Sequence, residues 1–331
     1  MTPDMLCCYN LLKQYHVRKQ VFTMEWNGKP YHSLDYELRQ QFGRKIYKLS
    51  LDGGMSCPNR DGTLGTGGCI FCSQGGSGDF AESSALSIKE QIAKGKSQTS
   101  AKWDHPRYIA YFQAFTNTYA PVDTLRQKYE EALSQPDIVG LSIATRPDCL
   151  GDDVIQLLAE LNGKTKLWVE LGLQTAKETS AHFIRRGYDN DVFTDAVKRR
   201  AAHDISVVAH VIVGLPGETK EDLLETMDYI NSLPIEGVKL QLLHVLEHTD
   251  LAELYRSGQY TPLTLEEYID LLCACIARLR PDIVLHRLTG DGDKNILLAP
   301  LWSLNKRHVL NTIHKTLRQR NIRQGMDWSE K

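Results

Sequence analysis

Several things are scarce in this chain of 331 residues. It has no run of about 18 apolar residues, which excludes a membrane-spanning helix from the reading. The opening stretch MTPDMLCCYNLLKQYHVRKQ lacks the apolar core of a secretory signal, so the expected location is cytoplasmic, with no membrane partner. Neither sign of charge dominates: the net charge is −2, and any surface for a polyanion has to be local. Internal repeats and low-complexity segments are absent. The aromatic share is 8 %, beside 42 % hydrophobic and 24 % charged residues, ordinary values for a globular protein. The length suits one large domain with extensions, or two ordinary ones.

Cysteine is sparse but concentrated. Three of the eight cysteines, Cys57, Cys69 and Cys72, lie in LDGGMSCPNRDGTLGTGGCIFCSQGGSG, residues 51–78. Cys69 and Cys72 form a CxxC pair, and eleven residues rich in turn formers separate Cys57 from it. Glycine lets such a loop turn at positive φ and wrap an inorganic centre. In a reducing compartment clustered cysteines mean metal or catalysis rather than disulfides. Three thiolates are one short of a closed zinc site, and one short of a fully protein-ligated iron–sulfur cube. No histidine lies in the loop and no second CxxC follows at zinc-ribbon spacing. A zinc knuckle completed by a distant residue and an iron–sulfur cube with one open iron are both open at this point.

The rest of the chain alternates strand and helix. RKIYKLSLD (44–52) alternates as a strand and feeds the cysteine loop. Strands are predicted at 108–115, 138–145, 167–175, 206–216 and 237–246, with helices at 87–97, 121–134, 152–161, 191–203 and 220–233 between them. Ser87 and Glu90 are set as a helix-start pair, and Gly43 closes a short helix in SLDYELRQQFG. Six strand–helix repeats with Val, Ile and Leu in the strands indicate a parallel α/β sheet, here a partial (β/α)6 barrel, whose chemistry collects at the C-terminal strand ends. The expected organisation is an N-terminal extension (1–43), a core (44–250) and a C-terminal extension (251–331). That extension carries a helix at 264–279, a strand from 283 entering a Gly/Asp loop with Arg287, Asp291 and Asp293 near the barrel mouth, and a basic tail. Within 305–325 the tail holds Lys306, Arg307, Lys315, Arg318, Arg320 and Arg323 and no acidic residue. Such a stretch is either a solvated helix face or a contact for RNA phosphates.

A three-cysteine loop after the first strand, followed by about six βα units, resembles the radical S-adenosylmethionine (radical SAM) superfamily. The long first gap is similar to the branch related to the catalytic subunit of Elongator. GLSIATRPDCL, VELGLQT and IVGLPGET resemble that branch's third, fourth and fifth strand motifs. LDGGMSCPNRDG together with YFQAFTNTYAP resembles a bacterial family of Elongator-related proteins without the acetyltransferase domain. The likeness covers roughly residues 30–300.

The resemblance implies that Cys57, Cys69 and Cys72 hold a [4Fe–4S] cluster and that SAM chelates its fourth iron, giving a 5′-deoxyadenosyl radical on reduction by a flavodoxin or ferredoxin-type donor. Phe71 would shield the cluster. Gln113 and Asn117 occupy the place of the glycine-rich SAM-binding motif, though no GGE is present. Glu170 and Gln174 share one strand face, with SAM or substrate as their expected partners. Arg186 resembles the arginine that pairs with the SAM carboxylate, with Arg185 its neighbouring alternative. His210 takes a position near the adenosine ribose, or is a satisfied core histidine. Arg146 and Asp148 match the TRPD motif, whereas Ala144 stands where relatives carry glutamate. Catalytic residues beyond the cofactor sites are unassigned.

The family implies tRNA as the partner and the wobble uridine as the target. The related bacterial family is linked to converting a 5-carboxymethylaminomethyl group to 5-aminomethyl before a partner methyltransferase acts. Two other readings stay open: a radical SAM enzyme on a small molecule or peptide, and a non-catalytic iron–sulfur or zinc RNA-binding adaptor. Cys7, Cys8, Cys149, Cys273 and Cys275 offer no second three-cysteine motif, which ranks a sulfur-inserting enzyme low.

Overall fold

The computed structural model describes residues 26–76, 81–100 and 105–330, so Cys7, Cys8 and most of the N-terminal extension lie outside the described residues. Helix α1 (Leu34–Phe42) begins at Ser33, whose side chain accepts from the Tyr36 N–H, and stops at Gly43, φ +66. Strand β1 (Ile46–Leu51) then enters the cysteine loop. There follow α2 (Ile88–Ser100), β2 (Arg107–Phe112), α3 (Val122–Leu133), β3 (Ile138–Thr145), α4 (Asp152–Asn162) and β4 (Lys166–Gln174). Two helices, α5 (Glu178–Phe183) and α6 (Asn190–Ala201), precede β5 (Ser206–Val213), α7 (Lys220–Asn231) and β6 (Gly237–Leu242). The chain ends in β7 (Val245–Leu246), α8 (Asp250–Arg256), α9 (Leu265–Arg278), β8 (Val284–Arg287), β9 (Leu297–Ala299) and α10 (Lys306–Gln319). The predicted start of α2 is present: the Glu90 carboxylate accepts from the Ser87 N–H at 2.8 Å and from the Ser87 hydroxyl at 2.7 Å.

Seven parallel strands lie in the order β1-β2-β3-β4-β5-β6-β8 and curl into a half-barrel. The six predicted core strands are all there. The seventh, β8, comes from the stretch read as a C-terminal extension and pairs in parallel with β6. The predicted strand 237–246 is two elements. Leu243 still donates its N–H to Val213 O at 3.1 Å, but at His244 the chain leaves the sheet, and β7 pairs antiparallel with β9.

Strand alternation sorts the sheet. Leu141, Val169, Val207 and Leu240 point outward into the main apolar core under the helices, where full burial of each is worth about 1.5–3 kcal/mol. The inward side chains stack in layers. Ile46, Ile109, Trp168 and Val208 make an apolar floor. Above it, Lys48, Tyr111, Ser142, Glu170, His210 and Lys239 make a polar layer two residues further along each strand. Above that layer the strand ends open into a cavity.

Candidate functional site

The cavity, of about 270 Å³, sits at the C-terminal strand ends and is lined by Cys57, Cys69 and Cys72 together with Phe71, Gln113, Glu170, Gln174 and His210. The cysteine loop is folded onto it by its own side chains. Arg60 donates to Cys72 O at 3.0 Å and Ser73 O at 2.6 Å. Asn59 Nδ2 donates to Arg185 O at 2.8 Å and to Cys69 Sγ at 3.7 Å. Gly187 (φ +83) passes so near Asn59 that a Cβ there would stand 2.7 Å from Asn59 Oδ1. Gly76 (φ +63) brings the loop's end against Phe115, whose ring would be 2.9 Å from an added Cβ. Phe71 packs into the apolar cluster of Ile70, Ile184 and Leu251 and also lines the cavity, so it is both a core aromatic and a wall of the site.

The donor chemistry fits an iron–sulfur centre. The three cysteines are free and partly exposed. The Cys69 thiol is lowered to about 7, first by the hydrogen bond from Cys72 and further by Arg146, Asn59 and Arg60, while burial opposes the shift. The same hydrogen bond, with burial, pushes the Cys72 thiol well up, so within the CxxC pair it is Cys69 that Arg146 and Arg60 favour as thiolate, the ligating form. Among the described residues no three His, Cys, Asp or Glu side chains are grouped for a single metal ion.

The polar layer centres on Glu170. Its Oε1 accepts from Lys48 Nζ at 2.7 Å, Ser142 Oγ at 2.6 Å and Trp168 Nε1 at 3.0 Å; Oε2 meets His210 Nε2 at 2.8 Å and the Lys239 ammonium. Lys239 also donates to the Tyr111 hydroxyl at 3.0 Å and stands over the Tyr111 ring. Burial alone would push the Glu170 carboxyl up, but Lys239, Lys48 and the His210 hydrogen bond hold it well below its usual range. Burial lowers both lysines, Lys239 well below the usual ammonium value, and lowers His210 to about 4, so its imidazole is neutral at pH 7.

These contacts revise several expected roles. Glu170 and Gln174 share the cavity face, as expected, but the partners expected from SAM or substrate for Glu170 are supplied by protein side chains. His210 is likewise satisfied, by Glu170, while remaining in the wall. Gln113 lines the cavity and accepts from Ser50 Oγ at 2.9 Å. Asn117 does not line it: buried behind the second strand's end, its amide donates to Phe112 O at 3.1 Å and Ala144 O at 2.9 Å, bracing that turn. Arg186 is a brace as well. Its guanidinium donates to the carbonyls of Leu173 (3.0 Å), Thr175 (2.9 Å) and Tyr188 (2.8 Å), to Asn190 Oδ1 (3.0 Å) and to Glu178 Oε2 (3.1 Å). All three guanidinium nitrogens are engaged, which leaves little for a SAM carboxylate. Arg185 is exposed and pairs with Asp250. Arg146 grips Asp148 with two bonds, 2.9 and 2.7 Å, and donates to Arg186 O. Cys273 and Cys275 are buried in α9, as read. The Gly214–Gly217 turn faces Tyr260 and Leu263 around a separate cavity of about 250 Å³.

Lys48 and Lys239 went unread. A partial signal was present: each is the lone lysine of a largely apolar parallel strand.

Among the described residues no helix is long and apolar enough to cross a membrane. Comparison with known proteins agrees with the geometry. Residues 62–230 match the family described as Radical SAM superfamily, and residues 235–319 match the Radical_SAM C-terminal domain. The YtqA protein of Bacillus subtilis is 46 % identical over 297 residues, 90 % of this chain and 92 % of that protein. Elongator complex protein 3 of Schizosaccharomyces pombe is 28 % identical over 200 residues, 57 % of this chain and 36 % of that one. The tRNA uridine(34) acetyltransferase of Methanocaldococcus jannaschii is 30 % identical over 141 residues, 40 % of this chain and 25 % of that one. The solved structure of Elp3 from Methanocaldococcus infernus shares the fold, with a TM-score of 0.62 at 16 % identity over 84 % of this chain and 64 % of that one. Superfamily members use a [4Fe–4S] cluster and SAM, the centre for which three cysteines at the mouth of a parallel half-barrel are suited. The chain therefore belongs to the radical SAM superfamily, as an enzyme homologous to the catalytic subunit of Elongator.

Proposed function

We propose that this enzyme modifies the C5 side chain of the wobble uridine in tRNA, converting 5-carboxymethylaminomethyl to 5-aminomethyl. The observation that carries the reading is homology to Elongator complex protein 3 and to a tRNA uridine(34) acetyltransferase. Cys57, Cys69 and Cys72 would hold the cluster. Gln113 and Gln174, both in the cavity wall, would face SAM, with Phe71 excluding water. When bound, the cluster and SAM would supply a 5′-deoxyadenosyl radical for hydrogen-atom abstraction from the substrate side chain; loss of one further electron and addition of water would release the carboxymethyl carbons as glyoxylate, with SAM the oxidant overall.

The target base has to leave the anticodon stack and enter the cavity. The basic tail supports an RNA contact in part. On α10, Val309, Ile313 and Leu317 face the core. Lys306 is paired with Asp291 and Arg320 with Asp270, whereas Arg307, Lys315 and Arg318 are exposed with no ion-pair partner among the described residues. A flavodoxin or ferredoxin would deliver the electron, and a methyltransferase would take the aminomethyl product.

The test is mass spectrometry of nucleosides from bulk tRNA of cells with and without the gene. Loss of the gene is expected to accumulate carboxymethylaminomethyl uridine and deplete aminomethyl-derived forms, and C57A, C69A or C72A copies are expected not to restore them. An unchanged profile, in a host that makes these nucleosides by no second route, overturns the substrate.

A further inference from the structure

Arg287 is the charged group of the cavity wall whose partnering is incomplete. It ends β8, and its side chain is 30 % exposed. The nearest acid is Asp291, at 3.6 Å from its guanidinium. Asp291 is already held by Lys306, whose Nζ lies 2.6 and 2.8 Å from the two carboxylate oxygens. The ladder between β6 and β8 explains where Arg287 points. Val238 pairs with Leu285 and Lys239 with Arg287, so His286 is an extra residue on β8. This bulge lets His286 reach the floor, against Trp168, while Arg287 lines the cavity beside the polar layer.

The charges around Arg287 do not balance. Among the described residues Glu170 is the single carboxylate of the layer, and it is shared by Lys48 and Lys239. The lysines can relieve excess charge by giving up a proton; a guanidinium cannot. Beyond burial, the Arg287 charge adds to the lowering of Lys48, Lys239 and His210, so its field reaches across the whole layer. A partly exposed guanidinium in a cavity wall, whose nearest acid is shared with a lysine, suits an anion that enters with a ligand, and a planar carboxylate matches it in two-pronged fashion.

We propose that Arg287 is the subsite for the substrate's carboxylate, with Asp291 beside the substrate's amine. Resting on the wobble-uridine reading above, it assigns the carboxymethyl end of the side chain to β8. The anion is read as the substrate's rather than SAM's because the amino-acid end of SAM would be held at the cysteines. Those are carried by the loop after β1, at the opposite end of the strand order from β8.

The experiment is equilibrium binding to cluster-loaded enzyme with SAM present and no reductant. Two anticodon stem-loops are compared, identical except for carboxymethylaminomethyl or aminomethyl at the wobble uridine. The wild type is expected to prefer the first by about tenfold or more, as one charge-assisted pair allows. R287Q is expected to bind both alike, R287K to keep part of the preference, and SAM affinity to stay within about twofold throughout, a change below 0.5 kcal/mol. A preference retained in R287Q, or a wild type that binds both stem-loops equally, overturns the subsite and leaves the RNA reading standing. Loss of SAM affinity in R287Q gives the anion to SAM and also overturns the subsite. A wild type that binds neither stem-loop overturns both.

Discussion

Two cationic regions of this protein carry similar side chains and behave in opposite ways. One is inside the half-barrel, where Lys48 and Lys239 hold Glu170 and Arg287 lines the cavity nearby. The other is the outer face of α10 and its end, where Lys306, Arg307, Lys315, Arg318 and Arg320 face water. Outside, each charge keeps its hydration, and the Lys306–Asp291 and Arg320–Asp270 pairs are worth about 0–1 kcal/mol. Inside, hydration is lost and every charge depends on its partners, so removing one partner exposes the others' full desolvation cost. A charge on α10 is available to a large polyanion; a charge in the barrel is available only to a small group that enters the cavity.

The contrast breaks most directly at Glu170. Glu170→Gln leaves Lys48 and Lys239 without their shared carboxylate and is expected to cost about 3–5 kcal/mol in denaturant unfolding, as for other broken buried ion pairs. Adding Lys239→Met should return part of it. A loss under about 1 kcal/mol would make the layer no different from the surface.

The next largest effect is pH dependence. His210 and His244 are both lowered to about 4, chiefly by burial, so the folded state holds them neutral. Between about pH 6.5 and pH 4 the unfolded chain binds protons that the folded one does not, so stability falls as pH falls. From pH 7 to pH 5 the loss is at most about 2 kcal/mol per histidine. Unfolding midpoints measured across that range should drop in the wild type and less steeply in His244→Asn; a flat wild-type profile would show that these imidazoles are not held neutral.

The smallest effect on stability belongs to the tail. R307Q, K315Q and R318Q together should change unfolding free energy by about 0.5 kcal/mol or less, since none has an acidic partner among the described residues. The same triple variant should weaken tRNA binding and reduce the slope of log affinity against log salt by about 2–3. An unchanged slope would confine RNA contact to other surfaces.

Local signals were legible because they act within a few residues. The strand–helix alternation, the Ser87–Glu90 start of α2, the Gly43 stop and the three-cysteine loop all appear where the sequence puts them. Misreadings occurred where a side chain's partners are backbone carbonyls that only the folded turns and strand ends bring to it. Arg186 reads as an anion binder in FIRRGYD, but the turn at Arg185 (φ +58) and Gly187 (φ +83) aims it into the carbonyls at the end of β4. Asn117 reads as a site residue in QAFTN, yet the strand-end carbonyls of Phe112 and Ala144 take its amide. β8 reads as part of an extension because about forty residues of α8, α9 and connecting loop separate it from β6.

By itself the sequence determined the parallel α/β architecture and the cysteine loop at its mouth, because periodicity, turn chemistry and cysteine spacing are local properties, and its motifs carried the resemblance to the radical SAM superfamily. Only the tertiary structure decided which polar residues serve the cavity and which hold the frame. Alternation says which face a side chain takes, but not the height at which it meets its neighbour. Lys48 meets Glu170 across 122 positions and Lys239 meets it across 69. Sheet register brings those three to one level, and a single-residue bulge carries Arg287 alongside them.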